Sequence, residues 1–153
     1  MTKPTTEVAI AIIPAGDKFL MQLRDNIPGI YYPGSWGFFG GHLDPGETPE
    51  VTIQRELIEE IAFAAPEIKF YRTYPHPEVI RHVFLAPLTV PLESLVLEEG
   101  WDLGLLSVED ILRGDRYSAK AQQTRPLGQP HQRILMDFLD GKTVSSLSRR
   151  NSE

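Results

Sequence analysis

The stretch from Gly41 to Phe63 reads GHLDPGETPEVTIQRELIEEIAF, and the rest of the fold is inferred outward from it. Thr48 is a favoured helix N-cap residue, and Pro49 suits the first helical position, where a missing N–H costs little. We predict a helix from Pro49 to about Ala64, just ahead of Pro66, because the residue before a proline avoids helical geometry.

Apolar residues recur along this predicted helix at helical spacing. At about 100° per residue they form two adjacent stripes, one of Ile53, Leu57, Ile61 and Ala64 and one of Val51, Ile58 and Ala62. The pattern predicts a helix that is apolar over more than half of its girth and packed between two layers.

Three carboxylates share the remaining face, because Glu56, Glu59 and Glu60 stand at positions i, i+3 and i+4. Two unit charges at about 4 Å repel by roughly 1 kcal/mol in water and by about 4 kcal/mol at an effective dielectric of 20. The acids also lie in the C-terminal half of the helix, where the helix dipole disfavours negative charge. Arg55 alone cannot neutralise three of them.

This acidic face has two interpretations. A run of charges is commonly a solvated helix surface. Alternatively, the carboxylates bind a divalent cation, and an all-oxygen ligand set suits Mg²⁺ or Mn²⁺ rather than zinc. The chain has no cysteine, so thiolate metal sites, disulfides and cysteine nucleophiles are excluded.

The segments on either side of the helix predict a mixed sheet. Apolar runs at residues 8–13 and 18–24 flank a Pro-Ala-Gly-Asp turn and predict a hairpin, and residues 35–39 predict a short strand. Further strands are predicted at 68–74, 79–86 and 103–106, followed by a short helix capped by Ser107. The layout is α+β.

The C-terminal third is less patterned. Residues 114–129 are predicted to be irregular, and a last helix is predicted from Pro130 to Leu139, with Gly141 as its C′ residue. We predict a single domain over residues 1–141 and a polar, flexible tail over 142–153, because no repeat or linker divides the chain.

Composition narrows the functional classes. The 153 residues carry a formal net charge of −6 without a clustered basic surface, which argues against nucleic-acid binding. The apolar run near the N-terminus is too short for a signal segment or a membrane span. We therefore expect a cytoplasmic protein that binds no membrane.

The acidic helix and the loop before it resemble the Nudix box, G-x5-E-x7-R-E-U-x-E-E-x-G-U, where U is a bulky apolar residue. The matching positions are Gly41, Glu47, Arg55, Glu56, Leu57, Glu59, Glu60 and Phe63. Ala62 replaces the later glycine, and because positive φ is costly for alanine, the helix is expected to run on to Ala64. The resemblance implies an α/β/α sandwich. The replacement of glycine by Ala62 removes no catalytic group.

The resemblance also implies roles for these residues. Glu56, Glu59 and Glu60 would bind Mg²⁺, or Mn²⁺ as a substitute, together with a backbone carbonyl at Gly40 or Gly41. Water would attack phosphorus, with Glu56 or Glu59 as general base. Glu47 and Arg55 would serve catalysis by orienting the loop and the helix.

Candidate site residues outside the box are less specific. Glu98 or Glu99 could join the metal ligands, with Glu99 the preferred candidate, and His76 or His82 could play the same part. His82 lies in an apolar strand, where a structural histidine is the commoner case. For the substrate, Arg24 suits a phosphate, and Tyr31, Tyr32 or Trp36 could stack on a base.

The predicted function is divalent-metal-dependent hydrolysis of the phosphoanhydride bond in a nucleoside diphosphate linked to a group X. A nucleoside triphosphate and a nucleotide sugar remain nearly equal candidates, and dimers are common in the family. The alternative is a catalytically silent Nudix-fold module that binds nucleotides for regulation. The sequence disfavours three other activities. RNA decapping would need a basic patch that this chain lacks, and isopentenyl diphosphate isomerase needs a cysteine. GDP-mannose hydrolases replace box residues that this chain keeps.

Overall fold

The first two strands form the predicted hairpin, and runs of consecutive residues in both are buried, because both faces of the sheet are covered. The computed structural model describes the backbone of residues 5–152 and the side chains of residues 5–141. Among the described residues, no helix is long and apolar enough to span a membrane.

The regular elements follow the predicted order, with one additional strand pair. A single 3₁₀ turn lies at Leu92–Ser94. The strands and α-helices are β1 (Thr6–Ala15), β2 (Lys18–Leu23), β3 (Trp36–Gly37), β4 (Phe39–His42), α1 (Pro49–Ile61), β5 (Lys69–Tyr74), β6 (Val79–Leu85), β7 (Asp102–Leu106), α2 (Val108–Arg113), β8 (Asp115–Ser118), β9 (Gln123–Pro126) and α3 (Gln129–Ser152).

Strand β1 is the centre of a mixed sheet. Its N-terminal half lies between β4, which is antiparallel, and β6, which is parallel, so that Val8 stands opposite both His42 and Arg81. Its C-terminal end pairs with β2, which also pairs with β3 and β7. Strand β5 closes the far edge against β6. The Gly40-containing strand thus lies beside the sheet's central strand.

Helices cover both faces of this sheet. One apolar cluster joins β1 to α1 and includes Ala9, Ala11, Ile13, Ile53, Leu57 and Ile61. The opposite cluster joins β1 to α2 and α3 and includes Ile10, Ile12, Ile111, Ile134 and Leu135. Each fully buried aliphatic side chain contributes about 1.5–3 kcal/mol. The alternation of β1 residues between the clusters produces the predicted α/β/α sandwich.

Helix α1 ends earlier than predicted. It stops at Ile61, and Ala62 adopts the left-handed conformation with φ 56° that was expected to be avoided. Its N–H bonds the Ile58 and Leu57 carbonyls, and Phe63 turns inward to become 2% exposed. Burying a phenylalanine gains about 1.5–3 kcal/mol, which exceeds the roughly 1–2 kcal/mol cost at Ala62.

The second apolar stripe of α1 is not buried. Val51 is 48% exposed and Ile58 is 53% exposed, whereas Thr52 and Glu60 are buried. The prediction that the helix is packed between two layers is therefore wrong. Only one stripe faces the sheet, because the sandwich places a single layer against α1.

The C-terminal third also differs from the prediction. Residues 114–129, expected to be irregular, contain the antiparallel pair β8 and β9. Helix α3 continues through Gly141 rather than ending there, since glycine costs only about 1 kcal/mol in a helix and no proline follows. The side chains of the predicted flexible tail lie outside the described residues, so the tail and the domain boundary stay predictions.

Candidate active site

The loop before α1 is fixed by Glu47. Thr48 caps the helix as predicted, with its side chain accepting from the Val51 N–H. Glu47 Oε1 accepts hydrogen bonds from the Asp44 N–H and the Thr52 hydroxyl, both at 2.9 Å. One carboxylate therefore joins the start of the loop to the first turn of the helix.

Arg55 is the hub of the acidic face. Its Nε and Nη2 donate to the two oxygens of Glu47, each at 2.8 Å, which is the bidentate geometry that guanidinium favours. Its Nη1 donates to Glu56 at 3.0 Å and to Glu59 at 3.1 Å. These bonds hold the pKa of Glu47 down at about 2, with the Arg55 hydrogen bond as the largest cause.

Glu60 turns away from this hub into the protein. It is 7% exposed, accepts from the Gly40 N–H at 2.9 Å and lies 3.4 Å from the Gln22 amide nitrogen. No cation pairs with it among the described residues. Burial raises the pKa of Glu60, and the Glu56 and Glu99 carboxylates raise it further.

The two glycines of β4 permit close packing, Gly40 against the backbone of β1 and Gly41 against the Glu56 carboxylate. Gly40 has φ 149°, and a Cβ there would lie 2.1 Å from the Ala9 carbonyl oxygen. A Cβ on Gly41 would lie 2.4 Å from Glu56 Oε1. Any larger residue at either position would displace the strand or the Glu56 carboxylate.

A loop after β6 brings a further acid to the same place. The Glu98 N–H donates to the Glu60 carbonyl at 2.9 Å, and the Val96 N–H donates to the Ile61 carbonyl at 3.2 Å. These bonds satisfy carbonyls at the C-terminus of α1, which would otherwise lack partners. They also place Glu99 beside Glu60.

These carboxylates line a cavity of about 520 Å³, within the usual range for small-molecule sites. Its floor consists of alternate residues of β1 and β6, including Val8 and Arg81. One wall carries acidic groups and the β4 glycines, and another carries cationic and aromatic groups. The lining residues used below are Arg24, Tyr31, Tyr32, Phe38, Gly40, Gly41, Glu56, Glu60, Arg81, Glu99 and His131.

The family follows from comparison with known proteins. The model described as the NUDIX domain matches residues 3–127. This chain belongs to the Nudix family. Among solved structures, the mutT/nudix family protein from Listeria innocua superposes with a TM-score of 0.70 at 20% identity, covering 95% of this chain and 99% of that one. The predicted Nudix fold is therefore confirmed.

Two curated relatives match part of the chain. The ADP compounds hydrolase NudE of Escherichia coli is 34% identical over 70 residues, 46% of this chain and 37% of that protein. The 8-oxo-dGTP diphosphatase of Haemophilus influenzae is 35% identical over 74 residues, 48% of this chain and 54% of that protein. The matches thus span about half or less of these relatives.

The Nudix box residues take three positions in the structure. Glu56 and Glu60 line the cavity, whereas Glu59 is 58% exposed and does not. Arg55 and Glu47 brace the loop, in the arrangement that the resemblance implies. The three helix acids therefore share one neighbourhood but do not meet at one point.

The residues predicted outside the box divide into two groups. Arg24, Tyr31, Tyr32, Glu99 and His76 line the cavity.

Trp36 and His82 lie elsewhere. The Trp36 ring is 1% exposed in the core and its indole N–H donates to the Arg116 carbonyl, so we leave it out of the proposed substrate site. His82 contacts Thr73 and Glu7, which makes it the expected structural histidine.

Three polar cavity residues used below were among those not predicted from the sequence. Gln22 contacts Glu60 and donates to the Phe38 carbonyl at 3.0 Å. Arg81 and His131 face the cavity from β6 and from the start of α3. Of these three residues, only Arg81 could have been suspected from the sequence, because it is a charged residue within a predicted strand that is otherwise largely apolar.

The donor set fits a hard divalent cation. Glu56, Glu60 and Glu99 offer only oxygen, and a cation would relieve the repulsion between them, which Arg55 offsets only at Glu56. Among residues 5–141, no three acidic or histidine side chains are arranged as a ready ligand cluster. The reason is that Arg55 binds Glu56 and Glu59, whereas Glu60 bonds Gly40.

Proposed function

We propose that this protein is a Mg²⁺-dependent hydrolase that cleaves the phosphoanhydride bond of a nucleoside diphosphate linked to a group X. The observation that carries the proposal is the pair of carboxylates, Glu56 and Glu60, which border a nucleotide-sized cavity beside the β4 glycines. Mn²⁺ is expected to substitute for Mg²⁺, because both prefer oxygen ligands.

The acidic wall would hold the ion and the diphosphate. Glu56, Glu60 and Glu99 would be the carboxylate ligands, with a backbone carbonyl at Gly40 or Gly41. When bound, Mg²⁺ would neutralise charge on the bridging oxygens and lower the pKa of the attacking water.

The protein's own groups would do the remaining work. Glu56 would accept the proton of the attacking water, since it lines the cavity and is held by Arg55. Glu59 is less suited to that role because it faces solvent. Glu47 would act through Arg55 as a positioning residue, keeping Glu56 in place.

The opposite wall would bind the nucleoside and X. Arg24 would contact a phosphate, and Tyr31 and Tyr32 would offer rings to a base. The relatives' names, an ADP compounds hydrolase and an 8-oxo-dGTP diphosphatase, support a nucleotide substrate and leave both triphosphates and X-linked diphosphates in the test panel.

The test is product analysis by mass spectrometry after incubation with Mg²⁺. The panel comprises nucleoside triphosphates, oxidised nucleotides, ADP-ribose, nucleotide sugars and dinucleoside polyphosphates. Release of a nucleoside monophosphate is expected, and Glu56→Gln should slow it by about 10²-fold or more.

The matched control is Glu50→Gln, which removes an exposed acid from the first turn of the same helix and should leave the rate unchanged. Metal-dependent nucleotide binding without any product would instead support a silent binding module. Equal loss in both variants would refute the role of Glu56.

A further inference from the structure

One end of the cavity presents hydrogen-bond donors. His131 stands near the start of α3, and its Nδ1 accepts the Phe38 N–H at 3.2 Å. The ring is closely surrounded by Gly37, Gly128, Tyr32 and the Phe38 ring. Because Nδ1 is an acceptor, the ring proton is on Nε2. His131 lines the cavity, and its Nε2 has no partner among the described residues.

The charge state of His131 is fixed by its surroundings. Burial lowers the pKa of His131 to about 3, and the Arg81 and Arg24 guanidiniums contribute to that lowering. The imidazole is therefore neutral near pH 7. Its Nε2–H can therefore act only as a hydrogen-bond donor towards the cavity.

Two arginines extend this donor surface. Arg81 makes no side-chain hydrogen bond or ion pair within residues 5–141, although it lines the cavity from β6. Arg24 donates its Nε to the Tyr31 carbonyl at 2.8 Å, which leaves its terminal N–H groups available. Guanidinium has no acceptor atom. The Arg81 guanidinium, the terminal N–H groups of Arg24 and the Nε2–H of His131 thus form a wall of donors that lack partners among residues 5–141.

Within the donor wall, Arg81 lies apart from β4, which carries the glycines of the proposed diphosphate site. In the sheet, Val8 stands between His42 of β4 and Arg81 of β6, so the backbones of those two residues are two strand spacings, about 10 Å, apart. Tyr31 and Tyr32 also line this cavity, Tyr32 in edge contact with His131, and exposed aromatic rings stack on bases. This end therefore suits a base better than the diphosphate.

We propose that this donor wall selects a 6-oxopurine, recognised at an edge that carries only acceptors, with Arg81 and His131 as the specificity-determining residues. The inference rests on the proposed function, which places the diphosphate on the acidic wall. Guanine and hypoxanthine present O6 and N7, both acceptors, along one edge. Adenine places an N6 donor beside N7 and would face the wall with an unpaired N–H.

The test uses substrates that differ only at C6. ITP and ATP carry oxygen and an amino group there, and kcat/KM should favour ITP by about tenfold or more, with GTP resembling ITP. Arg81→Met should reduce the ITP to ATP ratio towards one. The control, Arg133→Met, removes an exposed arginine of α3 outside the cavity and should keep the ratio. His131→Gln, which retains a donor, should keep more of it than His131→Phe.

Several outcomes would overturn the inference. An ITP to ATP ratio of kcat/KM near one in the wild-type protein would do so, while leaving the hydrolase proposal intact. Equal loss for both substrates in Arg81→Met would assign Arg81 to a phosphate instead.

Calorimetry with inosine and adenosine 5′-monophosphates separates the two proposals. Tighter binding of the inosine nucleotide without turnover of any triphosphate, nucleotide sugar or other member of the substrate panel would retain base selection and reject hydrolysis. Equal affinities, or no binding of either, would reject base selection.

Discussion

Replacing Glu60 by glutamine is expected to stabilise the metal-free protein and to reduce its activity. Glutamine keeps an acceptor for the Gly40 N–H but cannot ionise, whereas ionisation of Glu60 in the folded state would bury a negative charge near Glu56 and Glu99. Functional sites commonly retain such destabilising groups. The same substitution removes a proposed ligand of the cation.

The magnitude follows from the protonation of Glu60. Burial and neighbouring carboxylates raise its pKa from 4.5 to about 8, so the folded state holds the proton more tightly than the unfolded chain. The resulting destabilisation is absent below about pH 4.5 and grows as the pH rises to 8. At about 1.4 kcal/mol per pKa unit it reaches at most about 3 kcal/mol at pH 7. We expect about 1–2 kcal/mol, because the new amide faces the Gln22 amide.

The assay is urea unfolding in EDTA at pH 5 and pH 8. The variant should exceed the wild type in free energy of unfolding at pH 8, and the difference should shrink towards zero at pH 5. Adding Mg²⁺ should stabilise the wild type, since a ligand that binds only the folded state raises its stability, and should stabilise Glu60→Gln much less.

Glu50→Gln serves as the exposed control and should show no such pH dependence. A Glu60→Gln protein that is no more stable than the wild type at pH 8 would refute the reasoning. Equal stabilisation of both proteins by Mg²⁺ would reject Glu60 as a ligand.

Three further predictions use matched variants. Glu47→Gln should lower kcat, measured as the metal-dependent rate, about 10- to 100-fold, because Arg55 would lose its bidentate partner. An unchanged rate would reject the positioning role of Glu47. Tyr71→Phe should raise the free energy of unfolding by up to about 1 kcal/mol, because its buried hydroxyl has no hydrogen-bond partner within residues 5–141, whereas Tyr74→Phe loses a bond to Asp137 and should lower it. Ala62→Gly should raise the melting temperature by relieving about 1 kcal/mol of left-handed strain; a lower value would contradict that account.

Local signals in the sequence predicted local structure well. Thr48 and Ser107 cap their helices through bonds that span three residues, so the sequence alone indicates them. The β8–β9 pair was missed because its turn has no glycine or asparagine, and Gln122 takes the positive φ instead. Two short polar strands leave no apolar alternation to detect.

Long-range contacts account for the missed part of the site. The spacing of the box indicates the acidic wall, because Glu56 and Glu60 are one helical turn apart. The donor wall depends on the bond between Phe38 and His131, which are 93 residues apart in the sequence. Nothing near His131 marks it as a cavity residue. The burial of Trp36 likewise depends on a distant contact, since its indole N–H donates to the carbonyl of Arg116, 80 residues away.

The central position of β1 has a kinetic consequence. Thr6 pairs with Val79 and Ile12 with Leu85, so the sheet closes only after more than half of the chain is available. Non-local pairing of this kind slows folding, typically to milliseconds or seconds. During synthesis, the Glu60-bearing helix and its strand β4 would emerge before β6 could join β1. The Glu56 and Glu60 part of the acidic wall is therefore made of early-emerging chain, whereas Glu99 and the complete cavity form only once the later half has docked.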